Sequence, residues 1–530
     1  MKQFNHFYQK YKLIFWLAPI ILAIFFFLRL YNLTIIPVFV DEAIYIRWAQ
    51  VMRAEPTLRF LPLFDGKQPL FMWLTIPFLK IFSDPLVVGR MVSVFAGLGT
   101  LGGIFLLTLL LTKKSQVALL ASFLYAVTPF TVFFERMALV DSLLTCFGVW
   151  TLYLGILLVQ YQRLDLAMIT GMVLGGALLT KSPAIFFAVL LPGTALLISP
   201  PRRSAFLPAQ AGAHLRGVLV ASLKLLGLGL VVYVFAVGIY NILRLGPNFQ
   251  MIALRNKDYV FPLNHLLLNP FDPLQFHLKE IWEWFGVMLT WPIFSVSLFG
   301  ILRGLRKYRR ETVLLLIWLV LPLLIQAEYA KVFTARYILF SVPIILIFGA
   351  LGMFEIFTHR YMIRKKWLIL ISSLFLFWAV RFDFYLLTDP KRAHLPKRER
   401  SGYLEEWTSG YGIKEVADYL REKSKTQKIL VGTEGYFGTL PDGLQIYLEK
   451  IPNITIIGVG YPITKIPEPL ENSLKDNNVY LVVNDSRLNL TEPELQRMKL
   501  INSYPKAVKP DGTQEKLMFY EIPRGNFRVP

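Results

Sequence analysis

Few ionisable residues border the apolar stretches of this chain, and those few are the side chains with chemistry to offer. Asp41 and Glu42 directly follow an apolar run at 35–40. A carboxylate in such a place can take a proton as a general base; both also suit a helix N-terminus, where the backbone dipole favours negative charge. Adjacent side chains on a helix point about 100° apart, so the two do not share one small ligand. Lys67 stands just before an apolar stretch at 70–82 that is too short to cross a bilayer. Such a lysine either holds a lipid phosphate as a point charge or snorkels at the interface. Glu135-Arg136, with Asp141 close behind, reads as a structural ion pair or as a reactive set. Lys181, before Ser182-Pro183, and Arg336-Tyr337 carry the same two readings. Arg90, Arg255, Asp258, Glu328 and Lys331 complete the group.

The elements that position these residues are membrane helices. Hydrophobic residues make up 55% of the 530 positions and charged residues only 17%, against a usual charged share of about 25%. A hydrocarbon core needs roughly 20 apolar residues per helix. Eleven spans are expected, near 13–31, 86–111, 117–134, 142–160, 166–181, 183–199, 217–240, 284–302, 312–327, 337–357 and 367–387. The two short spans at 166–181 and 183–199 leave room for a re-entrant segment. The first span is too long for the apolar core of a signal peptide, and no small-residue cleavage site follows it, so a retained anchor is expected.

Net charge does not indicate nucleic acid. Of the +21 total, +19 falls before residue 388 and +2 after it. The excess sits in alternate loops: Lys2, Lys10 and Lys12; Lys113 and Lys114; Arg163; Arg202, Arg203 and Arg216; Arg303, Arg306, Lys307, Arg309 and Arg310; Arg360, Arg364, Lys365 and Lys366. Cytoplasmic loops are the basic ones, so the N-terminus is expected inside and the region from residue 388 outside. The chemistry-bearing residues then fall at one outer face. Ionisable groups are expensive in a membrane protein, and their gathering at one face marks a site.

Two outer regions are large. In the first, 41–53 reads as a helix and 70–82 as an interfacial helix in the headgroup plane; the second, 244–283, is rich in Asn, Pro and aromatics. Residues 388–530 are expected to form a separate α/β domain, with a helix at 412–425 and strands at 428–431, 454–459, 479–483 and 517–522. The remainder, 1–387, is the transmembrane domain. The single cysteine, Cys146, excludes an internal disulfide. His265 and His277 lack nearby carboxylate spacing, so no metal ligand set is assigned. The segment GTEGYFG at 432–438 lacks the lysine and the order of a phosphate loop and reads as a turn.

Six segments in order, VDEAIYIRWAQ, GKQPLFMWL, GRMVSVFAGLGTL, ERMALVDSLLT, GALLTKSPA and ARYILFSVPIILI, resemble the polyprenyl-phosphate-sugar-dependent glycosyltransferases of the C-type superfamily. The resemblance is strongest to the branch of protein O-mannosyltransferases and aminoarabinose transferases. It implies an Asp base in the first outer loop, which falls on Asp41, with Glu42 beside it and Asp141 as the other outer carboxylate. It implies a lysine on the lipid-linked phosphate, which falls on Lys67, and a second contact at Arg336. Arg136, Lys181, Arg255 and Tyr337 complete the expected substrate-binding set. The family's Lys-Pro-Pro is Lys67-Gln68-Pro69 here, and Gly66 replaces a Glu found before that lysine in some aminoarabinose transferases, which removes a reason to expect their zinc. The expected partners are a polyprenyl-phosphate sugar, a glycan, lipid or protein acceptor, and membrane lipids. No cofactor is required, although a divalent metal is compatible. The rival class is a transporter or flippase of lipid-linked sugars, which would place its polar residues nearer the bilayer midplane.

Overall fold

The computed structural model describes residues 2–197, 211–358 and 365–524. Of the basic loop residues, Arg202, Arg203, Arg360 and Arg364 lie outside the described residues.

Helix α1 runs Lys2–Leu30, and the first outer loop then folds into α2, Val40–Ala54, and α3, Leu70–Phe78. The start of α2 is set by Phe39 in extended conformation and by the Glu42 carboxylate, which accepts the Phe39 N–H at 3.0 Å. Helix α4, Pro85–Thr112, has an N-terminus written in sequence: Asp84 accepts the N–H groups of Leu86 and Val87, and Pro85 needs no partner for its own nitrogen. It ends where Lys113 turns left-handed at φ +57°. Then follow α5, Ser115–Val127, α6, Pro129–Glu135, α7, Val140–Tyr161, and α8, Leu164–Leu178.

Among the described residues, six helices are long and apolar enough to cross a membrane, or eight if each of two bent pairs is one span. Not every one of the eleven expected spans is a single straight helix among the described residues. The stretch at 117–134 breaks between α5 and α6 by 58°, at Pro129, whose ring cannot continue the ladder. The stretch at 284–302 contains a corner: helices Leu274–Met288 and Trp291–Lys307 meet at 110°, through Thr290 at φ +69°, which makes it a broken span or a re-entrant loop. The expected spans at 166–181 and 183–199 are the short helices Leu164–Leu178 and Ser182–Leu197. The last expected span is helix Lys365–Thr388.

The bundle is tightest where helices Trp291–Lys307 and Val342–Thr358 cross. A Cβ on Gly300 would collide with the Phe348 carbonyl, so a small residue is what lets these backbones meet. At the end of α4 remote from the first outer loop, Glu355 joins Arg303 and Lys307, at 3.0 and 2.8 Å, and Lys114 lies over the Phe354 ring.

Beyond Thr388, helix Ile413–Lys423 buries Ile413, Val416, Ala417 and Leu420. Five strands follow: β1, Ile429–Thr433; β2, Ile454–Gly458; β3, Asn478–Asn484; β4, Lys499–Pro505; β5, Lys516–Ile522. Their order is β2-β1-β3-β5-β4; β1 pairs in parallel with β2 and β3, and β5 is antiparallel to β3 and β4. This region packs directly on α2. The Val40 N–H donates to the Thr408 carbonyl and the Gly410 N–H to that of Val38, and one apolar core continues from the bundle through Leu404 and Ile413 to Phe519.

Candidate active site

The junction of α2, α3 and the span opening at Ala335 gathers most of the expected residues. Asp41 is held at two points. Arg336 Nη2 lies 2.5 Å from Oδ2, and Lys67 Nζ lies 3.7 Å from Oδ1. Lys67 also pairs with Asp65 at 3.1 Å and faces the rings of Tyr45 and Trp48 at 5.5 and 5.7 Å. Tyr337 joins this to a second pair: its ring carries Lys181 Nζ at 3.9 Å, and Lys181 binds Asp141 Oδ1 at 2.6 Å. The other oxygen, Asp141 Oδ2, is buried without a partner. Three carboxylates and three cations thus form one cluster, with aromatic faces between them.

Burial alone would raise the Asp41 pKa. Arg336, then Lys67 and Lys181, outweigh it and hold the carboxyl at about 2. Burial likewise works against the Lys67 ammonium, but Tyr45, Asp41 and Asp65 push its pKa upward. In this state Asp41 is held as the carboxylate, and the cations beside it are occupied by carboxylates.

Arg255 reaches the cluster through Asp65, at 2.7 Å, and also binds Asp258 at 2.7 Å. Gly66 permits this approach. Its φ is +69°, and a Cβ there would lie 2.7 Å from Arg255 Cβ and 2.8 Å from the Met251 carbonyl. A glutamate at this position does not fit the loop.

Two expected residues are placed elsewhere. Glu42 is fully buried and saturated: Arg90 donates to both of its oxygens at 2.8 Å, and the N–H groups of Phe39 and Ala138 complete the set. The catalytic role expected for it does not suit a carboxylate with every lone pair engaged, and Glu42 instead pins α2 to α4 and to the turn before α7. Arg136 does not pair with Glu135. It donates to the carbonyls of Leu28, Arg29, Tyr31 and Asn32, closing the end of α1, while Glu135 binds Arg29 and Tyr125.

Sequence reasoning missed Asp65, Tyr45 and Trp48. Asp65 carried a usable signal, as an acidic residue two positions before Lys67 in the same loop. His265 and His277 each hydrogen-bond a main-chain carbonyl, of Asp272 and Ala327. No group of three His, Cys, Asp or Glu placed to hold a metal ion occurs among the described residues.

With this geometry in hand, comparison with known proteins is informative. Residues 66–227, which carry Lys67, Asp141 and Lys181, match the family described as dolichyl-phosphate-mannose-protein mannosyltransferase. ArnT from Cupriavidus metallidurans bound to undecaprenyl phosphate superposes with a TM-score of 0.57 at 13% identity, over 96% of this chain and 98% of that one. The fold is that of ArnT. The apo state of the same ArnT gives 0.57 at 12% identity over 97% and 98% of the two chains. The Archaeoglobus fulgidus oligosaccharyltransferase gives 0.50 at 13% identity, over 97% of this chain and 75% of that one. A sequence search of curated proteins gives no match. The shared fold brings residues from several of the six short motifs, Asp41, Lys67, Asp141, Lys181 and Arg336, to one place.

Proposed function

We propose that this chain transfers a sugar from a polyprenyl-phosphate donor to an acceptor hydroxyl at the outer face of the membrane. The observation that carries this reading is the position of Asp41 between Lys67 and Arg336, a base flanked by the two cations that a leaving phosphate needs. In this scheme the donor phosphate takes over Lys67 and Arg336. Losing its two counter-charges, Asp41 becomes more basic and accepts the proton of the acceptor hydroxyl. The acceptor oxygen bonds to the anomeric carbon, the bond from that carbon to the phosphate oxygen breaks, and its electron pair leaves with polyprenyl phosphate. Fixed cations stabilise this charge best where water is scarce. The Asp141–Lys181 pair extends the charged cluster beside the donor phosphate.

The scheme requires no cofactor. It puts the N-terminus in the cytoplasm and the sheet region, as a domain of its own, outside with the first outer loop against which it packs. The acceptor is a glycan, lipid or protein hydroxyl. The test is release of undecaprenyl phosphate from undecaprenyl-phosphate mannose by purified protein. Carrier release supports transfer, whereas movement of intact loaded lipid across the bilayer without release would contradict it.

A further inference from the structure

The three parallel strands end on one edge of the sheet, β1 at Thr433, β2 at Gly458 and β3 at Asn484. The chain leaving β1 continues to β2 on one side, and the chain leaving β3 continues toward β4 and β5 on the other. Neighbouring strands whose connections diverge make a topological switch point, and open α/β sheets bind ligands just outside the carboxyl ends there. The polar floor of this edge is built. Glu434 accepts both the main-chain N–H and the side-chain amide of Asn484, at 2.6 and 2.7 Å. Arg487 stands 3.6 Å from Glu434, with its guanidinium over the rings of Trp407 and Tyr461 at 3.8 and 4.2 Å.

Above that floor, three aromatic side chains face solvent: Tyr436 is 78% exposed, Tyr461 63% and Phe437 46%. Their loops are tied together by the Gly435 N–H to Gly460 carbonyl bond at 3.0 Å. Exposed aromatics on a braced platform mark a contact surface. This one is continuous with the active site. Phe437 stacks on Trp48 at 5.9 Å, and Lys67 Nζ lies 5.7 Å from the same Trp48 ring. A Cβ on Gly438 would touch Val40, the residue before Asp41, at 3.4 Å.

We infer that this ledge is the acceptor subsite and that its ligand is a carbohydrate. A sugar ring has an apolar C–H face and a rim of hydroxyls, which matches aromatic faces bordered by Arg487 better than a purely apolar chain would. A ring stacked on Tyr436 or Tyr461 leaves the neighbouring sugar at Phe437, on the side of the ledge that leads through Trp48 to Lys67. The inference rests on the transfer reading proposed above.

The experiment uses full-length protein in lipid nanodiscs with mannotriose, maltotriose and chitotriose, followed by saturation-transfer NMR. At least one trisaccharide should receive saturation on its ring protons, and Tyr436→Ala with Tyr461→Ala should weaken its binding tenfold or more. The paired Tyr→Phe changes should restore most of it, because the stacking face is kept. The alanine variant should keep the thermal midpoint of the wild type, which separates loss of binding from loss of fold. Absence of trisaccharide binding, as for a ledge that takes a peptide or lipid head groups, overturns the inference, and so does binding indifferent to both tyrosines. Trisaccharide binding by a protein that never releases undecaprenyl phosphate would overturn the transfer reading and, with it, the acceptor role.

Discussion

Arg336 clamps one oxygen of Asp41 at 2.5 Å while Lys67 stands 3.7 Å from the other, so a single carboxylate separates two cations that would otherwise repel each other. The arrangement links donor binding to base strength. An arriving phosphate competes with Asp41 for the same two partners, and whatever it takes from Asp41 raises the proton affinity of the carboxylate.

Lys67 is the first place to test this. Lys67→Ala should reduce release of undecaprenyl phosphate from the loaded lipid by about 10²–10³-fold, the usual loss when one preorganised stabiliser of a developing charge is removed. Lys67→Arg should recover part of the rate. Full turnover by the alanine variant at saturating donor would make Lys67 an interfacial anchor only.

Glu42 should behave differently from its neighbour. Arg90 and Glu42 are both fully buried and bind each other bidentately, and breaking such a pair leaves an uncompensated charge at a cost of about 3–5 kcal/mol. Glu42→Gln is therefore expected to lower the yield of folded protein and its thermal midpoint, while the fraction that folds keeps most of its turnover. A stable but inactive Glu42→Gln protein would return Glu42 to the chemistry.

Glu399 gives the fold a pH dependence. Its Oε1 accepts the Ala335 N–H at 2.8 Å, immediately before Arg336, and its Oε2 is buried without a partner. Burial raises its pKa from 4.5 to about 7. With the folded value above the unfolded one, the native state holds the extra proton, and the stability this contributes is present below about pH 4.5 and lost as pH rises to 7. The loss is at most about 3 kcal/mol. Thermal midpoints measured from pH 5 to 8 should fall with rising pH, and Glu399→Gln should flatten that slope. An equal slope in the variant would assign the dependence to another group.

Much of this was legible in the sequence because charge is scarce in an apolar chain. Asp41, Lys67, Lys181, Arg336 and Asp141 were visible as residues at the ends of apolar runs. What could not be read was facing. Asp41 and Glu42 are adjacent, and the bonds of Glu42 to the Phe39 N–H, the Ala138 N–H and Arg90 turn it inward while Asp41 points to Lys67 and Arg336. The corner at Thr290 escaped notice because apolar composition continues through it unchanged. Strand β4 escaped because most of its residues are at least partly exposed, so it lacks the buried run that exposed β1 and β3. Arg29, the partner of Glu135, lay inside a stretch that otherwise reads as a plain membrane anchor.

The most direct test of Asp41 as the base is the Asp41→Asn protein, assayed for both undecaprenyl-phosphate binding and turnover of undecaprenyl-phosphate mannose. Asparagine keeps the size and removes the charge, so the lipid phosphate no longer competes for Lys67 and Arg336 and should bind as tightly as in the wild type or tighter. Carrier release should nevertheless fall by about 10²–10⁴-fold, the usual contribution of a general base. Retained binding with that loss is the expected result; a loss of less than about tenfold, or ~1.4 kcal/mol of barrier, would contradict the assignment and move the search for the base to Asp141.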